Sequence, residues 1–138
     1  MTGPSDELVA AARRVHAEAY CPYSGYRVGA ALRTDVGIVA AANVENAAYP
    51  LGTCAEAGAI AAMVALGGRR IEEVVVLTDG DRPGSPCGGC RQRLSEFAAR
   101  DVVVHSVLVD AEAVLVRTVG DLLPDAFGPS DLGDRETD

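Results

Sequence analysis

Leu8, Val9, Ala12, Val15 and Ala19 recur at three-and-four spacing with charges between them, which predicts an amphipathic helix over residues 6–19. Ser5 or Asp6 is its candidate cap, and its apolar face calls for a sheet to pack on. The turn formers of Cys21-Pro22-Tyr23-Ser24-Gly25-Tyr26 end it. Residues 28–33 and 38–43 then read as two strands, joined as a hairpin through Thr34-Asp35-Val36-Gly37. After a loop holding Glu45, Asn46, Tyr49, Pro50 and Gly52, the alanine-rich run over 54–66 predicts a helix buried on most sides and stopped by Gly67-Gly68.

Residues 71–78 form a continuous apolar run centred on Val74-Val75-Val76-Leu77, as in a central strand. A loop rich in Asp, Gly and Pro follows, then helical spacing over 88–100 through Leu94, Phe97 and Ala98, and two further strands over 102–109 and 114–119. Strand, helix, strand, helix, strand after a hairpin implies parallel crossover units. The expected fold class is α/β, a mixed sheet of about five strands with helices on both faces. The chain has 138 residues, 49% of them hydrophobic, which suits one domain over 1–138 around a single core. Its polar end, about 128–138, is expected to be a flexible tail.

Twenty acidic residues against 12 Lys and Arg give a net charge of −8, which argues against a nucleic-acid polymer as partner. The longest nearly apolar stretch, 57–68, falls short of the roughly 18 residues that span a bilayer. Met1-Thr2-Gly3-Pro4-Ser5-Asp6-Glu7 has neither the charge nor the apolar run of a secretory signal. The expectation is a soluble, cytoplasmic protein without a membrane partner. In that reducing setting Cys21, Cys54, Cys87 and Cys90 are metal ligands, catalytic thiols or small buried side chains rather than two disulfides.

Chemistry concentrates at two predicted helix starts, Cys54-Ala55-Glu56 and Pro86-Cys87-Gly88-Gly89-Cys90. Two cysteines separated by two residues can turn both sulfurs to one metal, and a third thiolate leaves a tetrahedral zinc with one open position for water. Helix N-termini carry partial positive charge that favours thiolate over thiol. Hydrolysis of an amidine-like C–NH2 group also needs a proton carrier, and Glu56 is the candidate. Two residues from Cys54 on a helix, it does not share that residue's face, so it suits a place beside the water rather than a fourth ligand position.

Taken singly, each piece has an ordinary reading. Cys87 and Cys90 alone fit a redox dithiol or a structural zinc, and Glu56 a helix-start carboxylate. Asn43 and Glu45 would pass as loop polars, and Tyr26, Tyr49 and Phe127 as packing. Cys21 reads as a buried small side chain. His16 and His105 belong to no serine–aspartate arrangement and read as structural.

In combination these residues resemble the short zinc-dependent cytidine deaminases, whose pattern is ligand-x-Glu followed by Pro-Cys-x-x-Cys. The resemblance extends through residues 23–30, 43–50, Cys90-Arg91-Gln92 and 122–129, covering about 8–132. It implies the three-layer α/β/α fold of that family and one zinc per subunit, bound by Cys54, Cys87 and Cys90. It further implies attack by hydroxide at C4 of cytidine or deoxycytidine, with Glu56 moving protons to the ring nitrogen and the departing amine, in pyrimidine salvage. Asn43 and Glu45 match the ribose-binding pair, Tyr26 the aromatic lining of the base pocket, and the Ala55 amide the donor to the pyrimidine carbonyl. Family members of this type are homotetramers in which an aromatic matching Phe127 enters a neighbour's pocket. One position departs from the pattern: Ala57 stands where arginine commonly offsets the charge of three thiolates. Another donor, such as Arg91, or an upward shift of the rate–pH profile is then expected. Rival readings are a deaminase of another aminated heterocycle of the blasticidin-S kind, and a non-catalytic structural zinc module. A polynucleotide-editing deaminase is disfavoured by the acidic charge.

Overall fold

In the computed structural model, which describes residues 3–110 and 112–133, the first helix α1 (Asp6–His16) lays Leu8, Ala11 and Ala12 against a sheet. Ser5 takes the cap position, but its hydroxyl accepts from Arg33 Nη2 at 2.9 Å instead of from a helix amide. The helix stops before the expected Ala19 because the chain tightens there into i→i+3 turns, Glu18 N to Val15 O and Ala19 N to His16 O. Strands β1 (Val28–Thr34) and β2 (Gly37–Ala42) form the expected hairpin. Thr34 Oγ1 donates to the Gly37 carbonyl at 2.6 Å and accepts from Val36 N at 3.0 Å, and Gly37 adopts φ +98° at the turn.

Helix α2 (Ala55–Ala65) leads to β3 (Ile71–Thr78), and α3 (Gly88–Phe97) to β4 (Val103–Leu108). β5 (Val114–Thr118) and the single turn α4 (Val119–Leu122) follow. The five strands lie in the order β2-β1-β3-β4-β5. β3 and β4 are parallel neighbours, whereas β1 is antiparallel to both β2 and β3, so β2 and β3 run the same way with β1 between them. β5 closes the other edge antiparallel to β4.

Alternation along the strands sorts the core into two layers. Ala30, Leu32, Val74, Val76 and Val104 meet α2 and α3 through Ala59, Met63 and Leu94. Ala31, Val75, Leu77 and Val107 meet α1 on the opposite face. α2 is less enclosed than its composition predicts. Ala55, Glu56, Ala59, Ile60 and Met63 face inward, while Val64 and Leu66 are exposed, because among the described residues of one chain the helix lies on one sheet face with no layer beyond it.

His16 and His105 are both buried, as structural residues would be. His16 Nε2 lies 2.8 Å from Asp79 Oδ1, while Asp79 Oδ2 accepts from the Arg27 amide and guanidinium. His105 Nδ1 lies 3.7 Å from Glu73 Oε2. No described helix is long and apolar enough to cross a membrane. Of the expected tail, 134–138 lies outside the described residues. Before it, Pro129–Leu132 makes a 3-10 turn in which Gly128 N donates to Asp131 Oδ2 at 2.9 Å.

The contact of α1 with the sheet depends on Gly29. A Cβ there would stand 2.2 Å from the Ala12 carbonyl oxygen and 2.9 Å from His16 Cβ, and neither backbone nor buried ring can yield freely. Gly29→Ala is expected to cost about 1–3 kcal/mol of stability, as overpacking does. Urea unfolding checks this, and a midpoint equal to the parent's would show that α1 does not need this close approach.

Candidate active site

Cys54 is the N-cap of α2 and Cys87 the N-cap of α3, with Cys90 in the first turn of α3. α2 and α3 pack on the same sheet face, so their starts converge. The three sulfurs all lie within 4.8 Å of one another, Cys54 and Cys87 being 3.9 Å apart. Zinc–sulfur bonds of about 2.3 Å in a tetrahedron require sulfurs about 3.8 Å apart, so this donor set fits zinc. Among the described residues no carboxylate or histidine joins the cluster, and all four cysteines are free thiols.

In the metal-free thiols the charges conflict. Burial pushes Cys90 and Cys54 upward, the nearby Glu56 and Cys87 adding to the penalty. Burial also raises Cys87, but hydrogen bonds from the Cys90 amide and the neighbouring thiols outweigh it and leave Cys87 below its ordinary value. A dication resolves the conflict, since it binds the thiolates and discharges their protons.

Glu56, the second residue of α2, is only 4% exposed. Burial pushes its carboxyl above the usual range, the charge of Arg93 and the Cys90 thiol only partly opposing it. A carboxyl displaced in that direction can hold and release a proton closer to neutral pH. Ala55 precedes it as the first helical residue, and its amide is one of the helix-start donors that have no partner within the helix.

These groups border a cleft of about 290 Å³, near the lower limit of about 300 Å³ for small-ligand pockets. Cys54, Ala55, Glu56 and Cys87 line it together with Tyr26, Asn43 and Glu45. Cys90 is buried and does not line the cleft. Asn43 Oδ1 accepts from Val28 N at 2.9 Å and its Nδ2 donates to the Tyr26 carbonyl at 2.9 Å. Glu45 Oε1 accepts from the amides of Tyr23 at 3.0 Å and Ser24 at 3.1 Å, and Oε2 from the Ser24 hydroxyl. The Ser24 hydroxyl first, then these amides, hold the Glu45 carboxyl below its usual range despite some desolvation.

Phe127 lies outside this cleft and is 57% exposed, its carbonyl accepting from Gln92 Nε2. Cys21 is only partly buried. Tyr49 is exposed and meets Tyr23 edge-on, with ring centroids 5.8 Å apart. Two residues went unremarked in the sequence. Ser24 holds Glu45, which only the folded loop reveals. Arg93 Nη1 donates to Cys90 Sγ at 3.6 Å, a contact that the three-residue helical spacing could have suggested. Arg91, the donor expected in its place, is spent on the Pro86 and Leu122 carbonyls and the Ser85 hydroxyl.

An α/β scaffold that gathers three thiols and a buried carboxyl beside a small cleft is a metal-binding enzyme architecture. A family model of the cytidine and deoxycytidylate deaminase zinc-binding region matches residues 4–106. A cytidine deaminase from Sporosarcina psychrophila is 38% identical over 128 residues, 92% of this chain and 93% of the relative. One from Mycobacterium tuberculosis is 39% identical over 122 residues, 88% of this chain and 87% of the relative. The crystal structure of cytidine deaminase from Burkholderia pseudomallei superposes with a TM-score of 0.83 at 38% identity, covering 91% of this chain and 100% of that one. The chain belongs to the cytidine and deoxycytidylate deaminase family.

Zinc added to the metal-free protein in weak buffer is expected to release protons, and its affinity to weaken as pH falls. Raised thiol pKa values mean that protons compete for Cys54 and Cys90 through neutral pH. Calorimetry in buffers of different ionisation enthalpy reads the release, and proton-free binding would remove these thiols as ligands.

Proposed function

We propose that the protein hydrolyses cytidine and deoxycytidine to uridine and deoxyuridine with release of ammonia, serving pyrimidine salvage in the cytoplasm. Carrying most weight is the meeting of three cysteine sulfurs within 4.8 Å beside the buried Glu56. One zinc per subunit, held by Cys54, Cys87 and Cys90, would supply acidified water at the cleft. Glu56 would receive one proton of the attacking water and pass it to N3 of the pyrimidine as the C4–O bond forms. It would then move the remaining hydroxyl proton to the exocyclic amine, so that the C4–N bond breaks, the C4 carbonyl forms and ammonia leaves. The Ala55 amide receives the pyrimidine carbonyl oxygen, Tyr26 lines the base, and Asn43 with Glu45 bind ribose hydroxyls.

The cleft's small size favours a free nucleoside over a polynucleotide, in keeping with the chain's net charge of −8. Family members of this type are expected to act as homotetramers with active sites at subunit interfaces. Tyr23, Tyr49, Leu51, Val64, Leu66 and Phe127 are all exposed, apolar side chains available for a second copy to cover.

Glu56→Gln is expected to lower kcat by at least about 100-fold while zinc stays bound, because the amide cannot carry the proton. Loss of cytosine absorbance with ammonia release reads the reaction. Free cytosine is expected to react poorly, since it offers nothing to Asn43 and Glu45. A zinc-loaded protein inactive on both nucleosides would exclude the assignment and turn attention to other aminated heterocycles.

Sedimentation is expected to give four chains per particle, with Phe127→Ala raising KM. Full activity in a monomer would remove the interface from the mechanism.

A further inference from the structure

Three thiolates around one zinc dication carry a surplus negative charge, and Glu56 lies close enough to add to it. A cation beside the sulfurs would offset that surplus and stabilise the centre. Position 57 stands three residues after Cys54, where a helical side chain could reach back to that sulfur, but it is alanine. Each of the three guanidinium nitrogens of Arg91 already donates to a carbonyl or a hydroxyl. Arg93 is differently placed. It stands three residues after Cys90 on α3, and long helical side chains lean toward the N-terminus, so its guanidinium folds back over the first turn. Gly89 leaves that path open: a Cβ there would come within 3.1 Å of Arg93 Nη1. The guanidinium ends 3.6 Å from Cys90 Sγ and takes part in none of the ion pairs among the described residues. An exposed arginine free to extend into water instead spends its donor on a buried sulfur.

Resting on the zinc reading of this site, we infer that Arg93 is its positioning residue, orienting the Cys90 sulfur and offsetting the surplus thiolate charge. Hydrogen-bond partners of metal ligands typically govern metal affinity or activity by about 10- to 100-fold. The guanidinium does this work from the helix that carries two of the three ligands, so charge compensation and ligand geometry move together.

Arg93→Met keeps the aliphatic stem and removes both charge and donor, whereas Arg93→Lys keeps the charge. The first measurement is zinc transfer from the loaded protein to a chromogenic chelator, expected to be at least about tenfold faster for Arg93→Met and intermediate for Arg93→Lys. The second is the thiolate-to-metal charge-transfer band of the cobalt-substituted protein. It should move to lower energy in Arg93→Met, because a sulfur without its donor holds its electrons less tightly. Thermal unfolding of the metal-free protein should be unchanged, which separates action on the centre from loss of helix stability. Zinc transfer at the parent rate with an unmoved cobalt band would overturn the inference, and so would a lower metal-free midpoint with the band unmoved. Both readouts need no substrate. An inactive parent whose zinc retention still depends on Arg93 would sink only the cytidine reading, and an active parent indifferent to Arg93→Met would sink only this one.

Discussion

Convergence of two helix starts on one point is the constraint from which the site follows. Cys54 and Cys87 are separated by 33 positions and each caps a different helix, yet their sulfurs lie 3.9 Å apart. The sheet makes this inevitable. β2 and β3 run the same way, α2 follows the first and α3 the second, and both helices lie on one face. Their N-termini therefore emerge side by side at the carboxyl ends of the strands, where ligand sites of α/β sheets form. Alanines at 55 and 59 and the bare Gly58 let α2 sit close to the sheet: a Cβ on Gly58 would come within 3.1 Å of Ala41 Cβ. Small residues that look like mere helix formers thus set how near the cysteines approach.

Bringing acidic groups together in a half-buried place is electrostatically costly, and the same elements that gather them also relieve the cost. Each helix start directs partial positive charge at the sulfurs. The relief is incomplete, as the upward displacement of Cys54, Cys90 and Glu56 shows. The penalty that remains makes the cluster eager for a dication, and burial leaves Glu56 able to hold a proton. A site fully compensated by ion pairs would be more stable without metal.

The sequence made the sheet legible because its strands are strongly apolar and bounded by turn formers. β3 spans the predicted 71–78, and the hairpin turns where Asp35 to Gly37 suggest. Helix ends were less readable, since Ala19 continues the apolar spacing after the backbone has already tightened at His16. Within one chain α2 is enclosed on its sheet side alone, because alanine composition reports compatibility with burial, not which side a neighbour occupies. Of the site, the cysteines and Glu56 stood out through their spacing. The choice between Arg91 and Arg93 did not, because it turns on side-chain direction along a helix: Arg91 leans over the loop before α3 and meets Pro86, while Arg93 reaches Cys90.

Asn43 and Glu45 show how a side chain can hold a loop in place and keep hydrogen-bonding capacity in reserve. Asn43 uses one of its two amide hydrogens on Tyr26 and one lone pair of its oxygen on Val28, leaving a donor and an acceptor. Glu45 has about four acceptor positions, of which the amides of Tyr23 and Ser24 fill two and the Ser24 hydroxyl a third. What remains is one donor and two acceptors on the wall of the cleft, a set suited to hydroxyls, which both give and receive. The local bonds hold these groups in place beforehand, so a ligand need not bear the entropy of ordering them. The bonds to Tyr23, Ser24, Tyr26 and Val28 thus hold the loop together and still leave unused donor and acceptor capacity on the wall of the cleft.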